Sequence, residues 1–235
     1  MQTVLLKISG ELLKGLNSSA SQRVDATFVQ SIAQDIKQLL KTHQVHLVIG
    51  GGNFFRGARD GVAAGLRQPV ADTVGMLATI MNGIMLHEIF TTAGISSTVM
   101  SALPLPGVVA PCCQEHIDKA CQSNTLIIFV GGTGNPYVST DTAAVIRALQ
   151  VNATSIWKAS NVDGVYDADP AITTNAQLIK AISYNEMHQR GLRVMDMTAV
   201  TLAQEHKLSL RVFSIFTPGA LLTAARDNNF GSTIH

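Results

Sequence analysis

Two glycine-rich runs and a few cations carry what chemistry this sequence can do. The first run, Gly50-Gly51-Gly52, ends the apolar stretch Val45–Ile49 and is followed by Asn53, a residue able to cap a helix, and then by Arg56. Glycines leave backbone N–H groups open to an anion, and a helix starting behind them would add the positive end of its dipole. Taken alone, the triplet fits a flexible turn equally well. The second run, Gly131-Gly132-Thr133-Gly134-Asn135-Pro136, follows the apolar stretch Thr125–Val130 and leads through Tyr137-Val138-Ser139-Thr140-Asp141 into a helix-forming segment. Two such turns at strand ends of one sheet suit two phosphorylated ligands that face each other.

Lys7, Arg56 and Lys158 lie near these turns or near strand ends. Phosphoryl transfer needs little more, because its transition state spreads charge over the equatorial oxygens and is served by positioning and positive charge. An acceptor that is itself a phosphate is largely ionised at neutral pH and needs no general base. Asp141 either holds the lysines by ion pairing or is an ordinary acid in the first turn of a helix. Lys7 by itself reads as a solvated lysine at a strand end, and Asp72 as a helix-terminus charge. Other chemistries lack their patterns. The seven histidines are scattered without H-x-H or H-E-x-x-H, so no protein-built metal site is expected. G-x-S-x-G and G-x-x-x-x-G-K-[ST] are absent, and neither glycine run fits G-x-G-x-x-G with an acid downstream.

Strands and helices must place these residues. At 235 residues, 46% hydrophobic and 14% charged, the chain can build a sizeable core. A net charge of +1 without basic or acidic blocks calls for neither nucleic acid nor an anionic membrane. No charge-free apolar run is long enough to span a bilayer, and Lys7 interrupts the N-terminal apolar run, so no signal peptide is expected. Cys112, Cys113 and Cys121 form no C-x-x-C and read as reduced cytosolic thiols. Strands are expected at 3–8, 45–49, 96–100, 125–130, 154–157, 208–213 and 232–235. Helices are expected after Asp25, from Pro69 to Gly94, at 114–122, after Asp141, after Ser183, at 196–206 and at 219–226. Residues 15–24 read as a loop. In the helix after Asp25, Phe28, Ile32, Ile36, Leu39 and Leu40 form a core face. In that of 196–206, Met197, Val200, Leu202 and Ala203 are the expected buried positions. Met76, Leu77, Ile80, Met81, Ile84 and Met85 wrap around much of their helix, which points to burial against neighbours or a subunit interface. Strands alternating with helices predict an α/β fold: a three-layer sandwich with a mostly parallel central sheet and helices on both faces.

Five motifs in order, Lys7–Glu11, Ile49–Gly57, Gly75–Gly83, Gly132–Asp141 and Lys158–Tyr166, resemble those of the bacterial UMP kinases of the amino acid kinase family. The similarity extends through Val194–Asp196 and His206-Lys207 to Pro218–Ala220. It implies an amino acid kinase-like fold in one domain, 1–235. The part to about residue 150 would serve mainly UMP, and the part from about 151 mainly ATP. It implies transfer of phosphate from ATP to UMP with Mg²⁺ in pyrimidine nucleotide synthesis. By position, Lys7, Ile8, Ser9, Gly10, Gly52 and Arg56 would line the ATP phosphates, and Ser160, Asn161, Tyr166 and Asp169 would hold adenosine. Gly51, Asp72, Thr133, Gly134, Asn135, Pro136, Tyr137, Val138, Ser139 and Thr140 would bind UMP. Asp141 would orient the catalytic lysines, and Lys158 would stabilise charge on the transferring group. The resemblance also implies a cytoplasmic homohexamer, a trimer of dimers, with UTP as inhibitor. Many relatives carry a Gly- and Phe-containing stretch before the Asp25 position, linked to GTP activation. Here Gly15–Val24 has no aromatic residue. A related kinase of carboxylates or carbamates, and a non-catalytic nucleotide-binding protein, are the competing readings.

Overall fold

The computed structural model describes residues 1–16, 19, 21–192 and 194–235. Positions 17, 18 and 20 of the 15–24 loop fall outside the described residues, so the departure noted there is only partly described. In chain order the elements are β1 (Gln2–Ile8), α1 (Ala26–Leu39), β2 (His43–Ile49), α2 (Gln68–Thr92), β3 (Ser97–Ser101), β4 (Ala110–Pro111), α3 (Gln114–Gln122) and β5 (Leu126–Val130). Then follow α4 (Thr140–Gln150), β6 (Ser155–Ser160), β7 (Val165–Tyr166), β8 (Leu178–Ile179), β9 (Ala181–Ile182), α5 (Tyr184–Gln189), α6 (Met197–Glu205), β10 (Ser209–Ser214), α7 (Ala220–Arg226) and β11 (Ser232–Ile234). The main sheet runs β4-β3-β5-β2-β1-β6-β10-β11-β9, and β7 pairs separately with β8. From β4 to β10 every pairing is parallel, and β11 turns antiparallel against β10.

Both faces of the sheet are covered, which is why its inner strands are apolar nearly throughout. Val4, Leu6 and Ile8 of β1 pack with α1, α2 and α7 in one core. Leu5 packs on the other face with residues of α3, α4 and α6. Alternation along the strand therefore puts Lys7 on the α4 side, and Ile156 places Lys158 on that side too. β1 and β6 are neighbours, yet the helix after β1 lies on one face and those after β6 on the other. The same holds for β2 and β5. These are topological switch points, where crevices open at the carboxyl ends of the strands.

The helix starts follow their caps. Asp25 accepts from the Phe28 N–H at 3.0 Å, and Ser183 accepts from the Glu186 N–H at 3.1 Å. Several expectations need correction. No α-helix begins at Asn53: a tight turn and a π-helical turn, Gly57–Gly61, precede α2. The Asn53 side chain instead pairs reciprocally with the buried amide of Asn82, at 2.9 and 2.7 Å. Met197 is 54% exposed, because Asp196 caps α6 and Met197 then faces away from the sheet side held by Ala199, Val200 and Ala203. The short strands β4, β7, β8 and β9 are too brief to show a period. At 25 residues α2 is long and apolar enough to cross a membrane by length and composition. It packs instead on β3 and β5, and it buries hydrogen-bonded Thr79 and Asn82.

His46 sits fully buried in β2. Its Nδ1 accepts from the Ile127 N–H at 3.2 Å, so the imidazole is neutral there, and burial pushes its pKa down to about 4. A base with a lowered folded pKa contributes fully above its unfolded value, near 6.5, and loses that contribution as pH falls toward 4. We expect urea unfolding at pH 7.5 and 4.5 to differ by roughly 2 kcal/mol from this group. A His46→Gln variant should show a difference smaller by that amount.

Candidate active site

Lys7 and Lys158 are direct partners in the β1–β6 register, so their ammonium groups emerge side by side near the carboxyl end of the sheet. Lys158 lies two residues inside β6 rather than at its end. Two adjacent ammonium groups repel, and one carboxylate between them relieves this. Asp141 supplies it from the first turn of α4: Oδ1 lies 2.6 Å from Lys7 Nζ, and Oδ2 lies 2.7 Å from Lys158 Nζ. Lys158 Nζ also donates to the Val194 carbonyl. Burial pushes the Asp141 carboxyl up, but the two ammonium groups outweigh it and hold the carboxyl below its ordinary range. Burial and the Lys7 charge push Lys158 below the ordinary lysine range, against the pull of Asp141. The directions for the two partners agree once the cluster is counted: Asp141 sits largely buried between two cations, and Asp196 adds a second, weaker pull on Lys158.

Two clefts adjoin this cluster. A cleft of about 380 Å³ is walled by Lys7, Gly51, Gly52, Arg56, Asp72, Asn135 and Ser139–Asp141, with Gly132 among them. The other, of about 530 Å³, is walled by Lys158, Ser160, Tyr166, Asp169 and Val194. The first opens over the β2/β5 switch point and the second beside β6 and β10. Asp141 with its two lysines stands between them.

Most residues named from the sequence are brought together here. Gly52 and Arg56 line the same cleft as Gly51 and Asp72, not the one that holds Ser160 and Tyr166. Ile8 is 1% exposed and packs in the core with α1, so only its backbone faces the site; its carbonyl accepts from the Gly50 N–H at 2.9 Å. Ser9 and Gly10 form the start of a 3-10 turn, Gly10–Lys14, below the first glycine run. Asn161 is exposed outside the cleft walls, as is Tyr137. Thr133, Gly134 and Pro136 sit in the loop between the walling residues Gly132 and Val138. Asp72 lies in the second turn of α2, not the first. Its Oδ2 accepts from the Tyr137 N–H at 2.8 Å, which ties the second glycine loop to α2.

The two glycine runs owe their composition to different causes. A Cβ on Gly51 would meet the Gly75 carbonyl at 2.7 Å and the Thr79 N–H nitrogen at 2.9 Å, so this residue is glycine because α2 packs on its backbone. Gly131, Gly132 and Gly134 instead adopt left-handed φ of 74°, 56° and 81°, which coil the loop tightly. The Gly131 N–H donates to Thr79 Oγ1 at 2.7 Å.

From the sequence Asp196 reads only as the first residue of the 196–206 helix; it caps α6 and does more. It accepts from the Ala199 N–H at 3.0 Å, from Thr142 Oγ1 at 3.1 Å and from Ser139 Oγ, the cap of α4. It thereby joins the starts of α4 and α6 and holds Asp141 in place from behind. Asp196→Ala is expected to cost about 2 kcal/mol of stability by losing a cap and two hydroxyl bonds, whereas Asp196→Asn, which keeps an acceptor, should lose less. Chemical denaturation of the two variants checks this.

The profile of the amino acid kinase family matches residues 2–214. The chain belongs to the amino acid kinase family. Within it, the chain is 43% identical over 235 residues to a uridylate kinase of Vibrio cholerae, covering 99% of this chain and 95% of that one. It is 42% identical to a uridylate kinase of Serratia proteamaculans with the same coverage. Among solved structures it is similar to the UMP kinase of Ureaplasma parvum, with a TM-score of 0.92, 36% identity and coverage of 99% and 98%. It is also similar to the UMP kinase of Bacillus anthracis, with a TM-score of 0.94, 30% identity and coverage of 100% and 96%. The mostly parallel sheet with helices on both faces is thus the amino acid kinase fold.

Proposed function

We propose that this chain is a UMP kinase, transferring the γ-phosphoryl group of ATP to UMP to give ADP and UDP. The observation that carries this reading is the pair of clefts meeting at the Lys7–Asp141–Lys158 cluster, which gives one lysine to each cleft. ATP occupies the larger cleft, with adenosine near Tyr166 and Asp169 and its phosphates reaching Lys158 and Lys7. UMP occupies the cleft of Gly51, Asp72 and the second glycine loop, with Asp72 toward its ribose and Arg56 toward phosphate. A UMP phosphate oxygen attacks the γ-phosphorus, the bond from that phosphorus to the β-phosphate bridging oxygen breaks, and the electron pair leaves with ADP. The attacking phosphate is already ionised, so no base is needed. Lys7 and Lys158 stabilise the equatorial and leaving oxygens, and Asp141 keeps the two ammonium groups apart and aimed.

The donor set fits Mg²⁺ carried by the phosphates. No group of three or more His, Cys, Asp or Glu stands ready for a metal among the described residues, and both Asp141 oxygens already face lysines. When bound, the ion supplies neutralisation of phosphate charge. The division of one domain into a UMP side and an ATP side, the cytoplasmic setting in pyrimidine nucleotide supply, and UTP inhibition belong to the same proposal. So does a hexameric assembly, supported by Leu77, Met81 and Ile84, which stand 42 to 50% exposed along α2.

A coupled assay of ADP release with UMP, CMP, dTMP, acetate and carbamate tests the reading. UMP is expected to be turned over far faster than the others. Turnover with a carboxylate or carbamate but not UMP contradicts it.

A further inference from the structure

Arg147 is buried to 7% exposure on α4 and has no carboxylate partner among the described residues. Its guanidinium meets only neutral groups. Nη1 donates to Gln150 Oε1, the charge lies 5.7 Å from the centre of the Phe129 ring, and Nη2 stands 3.5 Å from the Gly132 carbonyl. Nε is buried without a hydrogen-bond partner among the described residues. A buried charge in this state is costly, and proteins seldom keep one without an offsetting anion. The neighbouring group that takes an anion is the second glycine loop. Gly132 lines the small cleft, whereas Arg147 stands behind the loop. In a trans peptide the carbonyl and the following N–H point in opposite directions. A Gly132 carbonyl turned toward Arg147 therefore turns the Thr133 N–H away from it, to the cleft side. Among the described residues, the N–H groups of Gly132 and Thr133 donate to no protein atom, while those of Gly131, Gly134 and Asn135 are all engaged within the protein.

We propose that Arg147 is a positioning residue for the monophosphate acceptor: from behind the second glycine loop it fixes the Gly132–Thr133 peptide and supplies a buried positive charge that a phosphate in the small cleft offsets. The inference rests on the kinase reading and adds to it a residue that touches neither substrate. At 3.5 Å the Gly132 contact is long, so most of the effect is charge, and a lysine in its place keeps part of it. Because no carboxylate among the described residues offsets the charge in the free protein, its removal is expected to leave the empty fold about as stable, whereas a purely structural arginine would be missed there.

Calorimetric titration of UMP and of ATP into the parent protein, Arg147→Met and Arg147→Lys, with melting curves for each, tests this. R147M is expected to melt no lower than the parent without ligand and to bind UMP about tenfold or more weaker. Its ATP affinity should be unchanged, and R147K should fall between R147M and the parent. Unchanged UMP affinity in R147M, equal loss for ATP and UMP, or R147K no better than R147M each overturns the proposal. So does an R147M chain that does not fold, since the charge would then be structural. A parent protein that binds no UMP contradicts the kinase reading itself, whereas a parent that binds UMP beside an unaffected R147M overturns only the role of Arg147.

Discussion

Replacing Lys158 by methionine is expected to lower kcat by about 10²-fold or more at saturating ATP and UMP. The argument is electrostatic. The lysine stands beside Lys7 in register, is held by Asp141 at 2.7 Å and by the Val194 carbonyl, and has its charge disfavoured by burial and by Lys7 while no phosphate is present. Phosphate oxygens remove that penalty, so the group is strongest where negative charge builds. Methionine keeps the stem and removes the charge. It leaves Asp141 paired with Lys7, so the empty fold should change by no more than about 1 kcal/mol. Steady-state kinetics with a melting curve on the same sample separate the two effects. An unchanged kcat removes Lys158 from the mechanism.

The second large effect is expected from Asp141→Asn. The carboxylate is the one anion bonded to both ammonium groups among the described residues, and its loss leaves them facing each other on adjacent strands. Breaking a largely buried ion pair in this way costs about 3 kcal/mol, and kcat should fall with it because neither lysine stays aimed. The pH dependence has a definite sign. The Asp141 carboxyl has a folded pKa below its unfolded value, so its contribution is present above about pH 4 and fades as pH falls through the folded value. The stability gap between parent and D141N should therefore close in acid. Toward high pH, D141N should gain stability, because its crowded lysines release protons more readily than those of the unfolded chain. Denaturant titrations from pH 3 to 9 check both limbs. A gap that stays constant across that range contradicts the account of the cluster.

Much of the architecture could be read directly. The 114–122 helix, the helix starts at Asp25 and Ser183, and most of the long buried strands carry strong local signals and lie within a residue or two of their expected places, whereas β6 runs three residues past its expected end. The site residues were legible through their motifs, but their reasons were not. Gly51 looked like an open anion cradle, yet its missing side chain makes room for α2, a contact made across 24 residues of sequence. Asn53 looked like a cap and instead pairs with Asn82, a partner no local pattern could supply. Asp72 read as a helix-end charge, whereas it ties down a loop 65 residues away. Lys7 and Lys158 become one group only through the β1–β6 register, and that register is a property of the sheet as a whole. Arg147 gave no signal beyond a cation late in a helix; its meaning lies in three dimensions, where no carboxylate among the described residues faces it.

The central claim is that phosphate passes from one cleft to the other past Lys7, Asp141 and Lys158. Phosphorus NMR of the protein mixed with ATP, UMP and Mg²⁺ tests it most directly. The account predicts UDP and ADP appearing in equal amounts with no inorganic phosphate, and their near disappearance with Lys158→Met. ADP and inorganic phosphate forming without UDP, or UDP forming at the same rate in both proteins, would contradict it.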